Sequence, residues 1–144
     1  MKKNLFVLSV LALVLGAFAP LGGDHLQLSV NGKKLIEQFG QPPKQAVNLV
    51  LDASLSAGSW SIYYNHCGQV GKGRQLLLRD TEHRLLAEWK YPDVADLAQS
   101  HMMLEGKELA SRMNGRPLQL SYLCQEWKHE RVLAILQPAT VGRK

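Results

Sequence analysis

Short segments in which apolar and polar residues alternate recur along this chain, with turn signals about every 8–12 residues. That pattern constrains the fold more than any other feature of the sequence. Leu26, Leu28 and Val30 alternate with Gln27 and Ser29, and Trp60, Ile62 and Tyr64 with Ser61 and Tyr63. Leu85, Ala87, Trp89 and Tyr91 share one face opposite Glu88 and Lys90, and Leu118, Leu120 and Tyr122 alternate with Gln119 and Ser121. A period of two puts one set of side chains on a buried face and the other in water, which is the signature of a half-buried strand. Ala46 to Leu51 is β-branched and apolar, fit for a central strand, and Arg74 to Arg79 and Val132 to Leu136 are two further strands.

The punctuation agrees. Asn31-Gly32 is a strong hairpin signal, because both residue types accept positive φ. Lys33 to Phe39 is the expected return strand, with a short helix as the alternative, and Gln41-Pro42-Pro43 ends it. Asp52 to Ser59 and Cys67 to Gly73 read as loops, and Asp80 to His83 as a four-residue turn. Helix formers dominate only from Val94 to Met113, with a helix expected over Glu105 to Met113 and a stop at Asn114-Gly115. These elements predict a mainly β fold: a small antiparallel β-sandwich, or open barrel, of about seven or eight strands with one short helix.

The first residues stand apart from this pattern. Lys2 and Lys3 precede an uncharged run from Leu5 to Leu15, and Gly16-Ala17-Phe18-Ala19 supplies small residues for cleavage. This is the layout of a secretory signal peptide. Pro20 fits poorly after a cut at Ala19, so cleavage after Gly16 or Ala17 is an equal expectation. The domain reading is therefore a signal over 1–19, a linker over 20–24, one β-rich domain over 25–138 and a loose tail over 139–144. The expected location is periplasmic or extracellular, with an uncleaved membrane anchor as the alternative. Without Lys2 and Lys3 the formal charge falls from +5 to +3, and no basic run remains. Nucleic-acid binding, which calls for a clustered basic face, is not expected.

Export changes how cysteine is read. Cys67 and Cys124 are the only two in the chain, and oxidising compartments favour a bridge between them. Closing such a loop would stabilise by about 4 kcal/mol. The competing reading is a copper site. His66, Cys67, His101, Met102 and Met103 carry the soft thiolate, thioether and imidazole donors that suit copper, without any regular ligand spacing. A bridged Cys67 could not be such a ligand, so the two readings exclude each other.

Catalytic and cofactor motifs do not emerge. The Gly68–Gly73 loop breaks the phosphate-loop spacing, since Gly71-Lys72 is followed by Gly73 and then a strand. His66 and Cys67 are neighbours on an expected strand end, where successive side chains diverge, so His66 is badly placed to activate Cys67. The chain has no G-x-S-x-G elbow. The sequence therefore points to a non-enzymatic envelope or secreted module with no cofactor, binding a protein or glycan partner. Its candidate binding residues are Tyr63, Lys72 and Arg74, around an adaptable glycine loop, and Trp127 beside Lys128 and Arg131. Tyr63 stands opposite the inward face of its strand, and Trp127 lies in a charged turn. An aromatic outside the core can mark a contact surface.

Overall fold

The structure, a computed structural model, describes residues 23–40 and 46–140. The expected signal segment, residues 1–19, and the end of the expected tail lie outside the described residues. The described residues form nine strands in two sheets. They are β1 (Asp24–Val30), β2 (Lys33–Gly40), β3 (Val47–Leu51), β4 (Ser59–Asn65), β5 (Gln75–Arg79), β6 (Leu85–Lys90), β7 (Met102–Glu105), β8 (Leu118–Leu123) and β9 (Arg131–Pro138). Two helices, α1 (Ala53–Ala57) and α2 (Gly106–Met113), and a 3-10 turn at Leu97–Gln99 complete the described elements. No helix among the described residues is long and apolar enough to cross a membrane.

One sheet has the order β2-β1-β4-β7 and the other β3-β9-β8-β5-β6. The alternation read from sequence sorts side chains between core and outer face. Leu26, Leu28, Trp60, Ile62, Tyr64, Met102 and Leu104 point from the first sheet onto Leu76, Leu78, Leu118, Leu120, Tyr122, Ala134 and Leu136 of the second, forming one contiguous core. The molecule is a β-sandwich, as expected. Asn31 and Gly32 both take positive φ, 49° and 77°, so the first hairpin turns where its sequence signal lies. The return segment is a strand, β2, and not the alternative helix.

Three elements depart from expectation. β3 pairs with β9 in parallel, aligning Val47 with Ala134 and Leu51 with Pro138, so the sandwich is not wholly antiparallel, and β3 lies at the edge of its sheet and not in the centre. The Asp52–Ser59 loop contains α1, capped by the Asp52 carboxylate accepting from the Leu55 N–H. The helix expected from Glu105 begins at Gly106, and the preceding residues form β7. In β7 the burial alternates, with Met102 and Leu104 inside and Met103 outside, a period too short to detect over four residues.

Candidate functional site

Two clusters of polar and aromatic side chains lie outside the aliphatic core. The first is a row across the outer face of the four-stranded sheet. Register fixes it: His25 of β1 lies opposite Phe39 of β2, and Gln27 opposite Tyr63 of β4. The Phe39 and His25 rings stack at 4.2 Å with planes 16° apart. Tyr63 meets the edge of His25 at 5.1 Å and a tilted His101 at 5.3 Å. His101 Nδ1 is 2.9 Å from the Ser61 hydroxyl, and Asn65 donates to the Tyr63 hydroxyl. Met103 stands beside Ser61 on the same face. Phe39 is 72% exposed and Met103 54%, which is unusual for large apolar side chains and leaves a wet apolar patch along the row.

The second cluster is buried at one end of the sandwich. β4 ends in a tight two-residue turn, Cys67-Gly68, closed by paired backbone hydrogen bonds between His66 and Gln69. Cys67 and Gly68 take φ of 50° and 80°, which suits a hairpin turn. The turn aims His66 at Cys124, which follows β8, and its Nε2 lies 3.4 Å from the Cys124 Sγ. On its other side, His66 Nδ1 is 3.8 Å from the Asp24 carboxylate, which also accepts from the Tyr64 hydroxyl at 2.8 Å. Trp127 covers the His66 ring at 4.2 Å, and the Arg131 guanidinium covers Trp127 at 3.4 Å.

Gly71 closes the cluster from the loop side. A Cβ there would lie 2.6 Å from the Tyr122 hydroxyl and 3.0 Å from the Cys124 Sγ, so only glycine lets the loop pass. The loop is held down by the Lys72 N–H donating to the Glu126 carboxylate and the Gln125 N–H donating to the Lys72 carbonyl. Desolvation sets the charge states. Burial lowers the His66 pKa against the weaker opposing pull of Asp24. Burial likewise raises Cys124, Tyr122 and Tyr64, the last with help from its bond to Asp24. Each of these shifts favours the neutral form of its group.

The sequence expectations meet this geometry unevenly. Tyr63 lies in the exposed row, and Lys72 is exposed on its loop. Arg74 is not a surface residue: it is 2% exposed, and its guanidinium donates to the carbonyls of Ser100 and Pro92. Its stem enters the sheet at the start of the buried β5 face, where only backbone acceptors meet it. Trp127 is half-buried, with the His66 ring and the Arg131 guanidinium both packed on it at the buried cluster.

The expected Cys67–Cys124 bridge is not formed. Both thiols are free, with Cys67 exposed at the turn and Cys124 buried against His66. The left-handed turn explains this, because it sends His66 and not Cys67 toward Cys124. The copper set is not gathered either. Met102 is in the core, His101 and Met103 are on the outer sheet face, and His66 faces Cys124 at the end of the sandwich. Among the described residues no three His, Cys, Asp or Glu side chains come together as a metal cluster.

Sequence reasoning missed His25, Phe39 and Asp24, and it did not foresee the contact between His66 and Cys124. His25 and Tyr63 both occupy the polar phase of their strands, a usable hint, but the pairing of β1 with β4 was needed to bring them together. No protein-family model matches the chain, and no curated protein matches it either.

Proposed function

We propose that the chain is a non-enzymatic binding module of the cell envelope or exterior, and that the outer face of its four-stranded sheet holds a protein partner. The supporting observation is the Phe39–His25–Tyr63–His101 row with Met103 beside it, exposed on a regular sheet. Aromatic residues and Met are enriched in protein interfaces, and rigid strands hold them without loss of loop entropy. The geometry favours protein over glycan. One face of His25 is taken by Phe39, and Tyr63 meets its neighbours at an edge and a tilt. The row therefore presents several differently tilted rings and a thioether, which fit between the side chains of a protein. The Lys2-Lys3 and Leu5–Leu15 pattern supports export as the setting.

The test is capture of a partner from the native envelope by the wild-type chain and by a Phe39→Ala/Tyr63→Ala/Met103→Ala variant. The reading expects one partner held by the wild type and released from the variant, while a Trp127→Ala chain keeps it. Equal retention by the wild type and the triple variant would remove the sheet face as the binding surface.

A further inference from the structure

The sandwich carries a cavity that the binding reading does not use. It measures about 320 Å³, a size that holds a small molecule, and lies where the end of α2 meets β6 and the start of β8. A helix stop builds it. α2 ends at Met113, and Asn114 and Gly115 then take left-handed φ of 43° and 70°, which turns the chain into β8. That turn brings Arg112 and Arg116 into one lining with Leu86 of β6 and with Asp80 and Arg84. Met113 and Leu118 also line the cavity and are buried, while Leu86 is exposed, so part of the wall is apolar.

The three arginines differ in what they are tied to. Arg84 is committed: its Nε donates to the Asp80 carboxylate at 2.7 Å, and its guanidinium lies 3.3 Å from Glu82. Asp80 also accepts the backbone N–H groups of Glu82 and Arg84, so it is taken up by its own turn. Arg112 and Arg116 have no carboxylate partner among the described residues. Arg112 donates to the Glu108 carbonyl and lies 5.9 Å from the centre of the Trp89 ring. The Glu108 carboxylate, one turn earlier, accepts instead from the Trp89 indole N–H at 2.7 Å. Arg116 is exposed, and its backbone N–H, not its side chain, closes the turn on the Met113 carbonyl. Each guanidinium carries five N–H donors in a planar fork that matches an oxyanion, so most of this capacity is free.

We propose that this cavity binds a phosphate monoester carried on an apolar chain, with Arg112 and Arg116 holding the phosphate and Leu86, Met113 and Leu118 meeting the chain. Charge sets the class of anion. A carboxylate balances one guanidinium, whereas a phosphate monoester, with a charge of about −1.5 to −2 at neutral pH, balances both. The wall sets the rest of the ligand, because free inorganic phosphate would leave its apolar part in water. A second hollow of about 190 Å³ shares Asp80 and Leu118 with the first and adds Pro117 and Ile135, which gives the chain further apolar surface. A soluble ester and a lipid ending in a phosphate present this same chemistry. The site does not involve the sheet face and stands if that reading fails.

The experiment is calorimetric titration of the full chain at low ionic strength with hexyl phosphate, inorganic phosphate, hexanoate and hexanol. Hexyl phosphate should bind about 10-fold or more tightly than inorganic phosphate. Hexanoate should bind more weakly than hexyl phosphate, and hexanol not at all. Arg112→Gln and Arg116→Gln should each weaken hexyl phosphate about 5–10-fold. Lys107→Gln removes the same charge from the exposed start of α2 and should leave the affinity within about twofold. Circular dichroism checks folding, and if Arg112→Gln loses its helix contacts and unfolds, the exposed Arg116→Gln decides. Sedimentation with phosphatidic acid vesicles, lost in Arg116→Gln, assigns a lipid source. A chain that binds hexyl phosphate and stays in solution assigns a soluble ester. The proposal is overturned if inorganic phosphate or hexanoate binds as tightly as hexyl phosphate, if Arg116→Gln changes nothing, or if Lys107→Gln loses as much.

Discussion

The molecule carries two histidines in nearly the same local setting, and what surrounds them makes them different. His25, on the sheet face, stacks on an aromatic ring at 4.2 Å and sits 3.4 Å from the Glu37 carboxylate. His66, at the end of the sandwich, also stacks at 4.2 Å, on Trp127, and sits 3.8 Å from the Asp24 carboxylate. Yet His25 neighbours Phe39, which is mostly in water, whereas His66 lies between Trp127 and the buried Cys124 and Tyr122. The same pieces make a wet contact surface in one place and a closed cluster in the other. Residue type alone therefore did not assign either role. Which face of a sheet the residue takes, and what closes over it, did.

The sharpest way to break this contrast is to disturb what closes the buried end. Arg74→Ala would leave the Ser100 and Pro92 carbonyls without their donor and open a hole beside β5. The expected loss is about 3 kcal/mol or more of unfolding free energy, measured by denaturant titration. A loss under about 0.5 kcal/mol would mean Arg74 behaves as a surface residue after all.

A smaller effect is expected at Gly71. Its replacement by Ala forces a methyl against Tyr122 and Cys124 and should cost about 1–3 kcal/mol. Phe39→Ala and Met103→Ala, on the wet face, should each stay within about 0.5 kcal/mol. If the two regions respond alike, the contrast between them is lost.

The smallest expected effect is a dependence on pH. His66 has a lowered pKa in the folded chain, so below about pH 6.5 the unfolded chain binds a proton that the folded one resists. Stability should fall as pH drops through that region, and the fall should shrink in His66→Asn. At the alkaline end Cys124 and Tyr122 have raised values, so stability should also fall as pH rises above about 8.5, where the unfolded thiol ionises first. Melting temperatures from pH 5 to 10 check both limbs. A flat profile would mean the cluster is hydrated.

Much of the fold was legible because period-two alternation is a local signal. Leu26, Leu28 and Val30, and Trp60, Ile62 and Tyr64, all turned inward as their spacing demanded. β7 was hidden because four residues give too few alternations, and the parallel β3–β9 pair because no local pattern encodes the direction of a distant partner. Tyr63 was legible as an outlier on its strand. Phe39 and His25 were not, since an aromatic on an edge strand looks like core until the register is known. The His66–Cys124 contact spans 58 positions and depends on a left-handed turn at Cys67, a non-glycine residue that gives no advance sign of that conformation.

The central claim is that the outer face of the four-stranded sheet is the part of the molecule that meets a partner. Site-specific photo-crosslinking in the cells that produce the chain tests it most directly. A photoreactive residue would replace Phe39 or Met103 on that face, and Val50 or Leu86 on the other sheet, all four being exposed. The account predicts one shared protein adduct from positions 39 and 103, lost when Tyr63→Ala is added, and none from positions 50 and 86. Equal adducts from both sheets, or adducts from positions 50 and 86 alone, would contradict it.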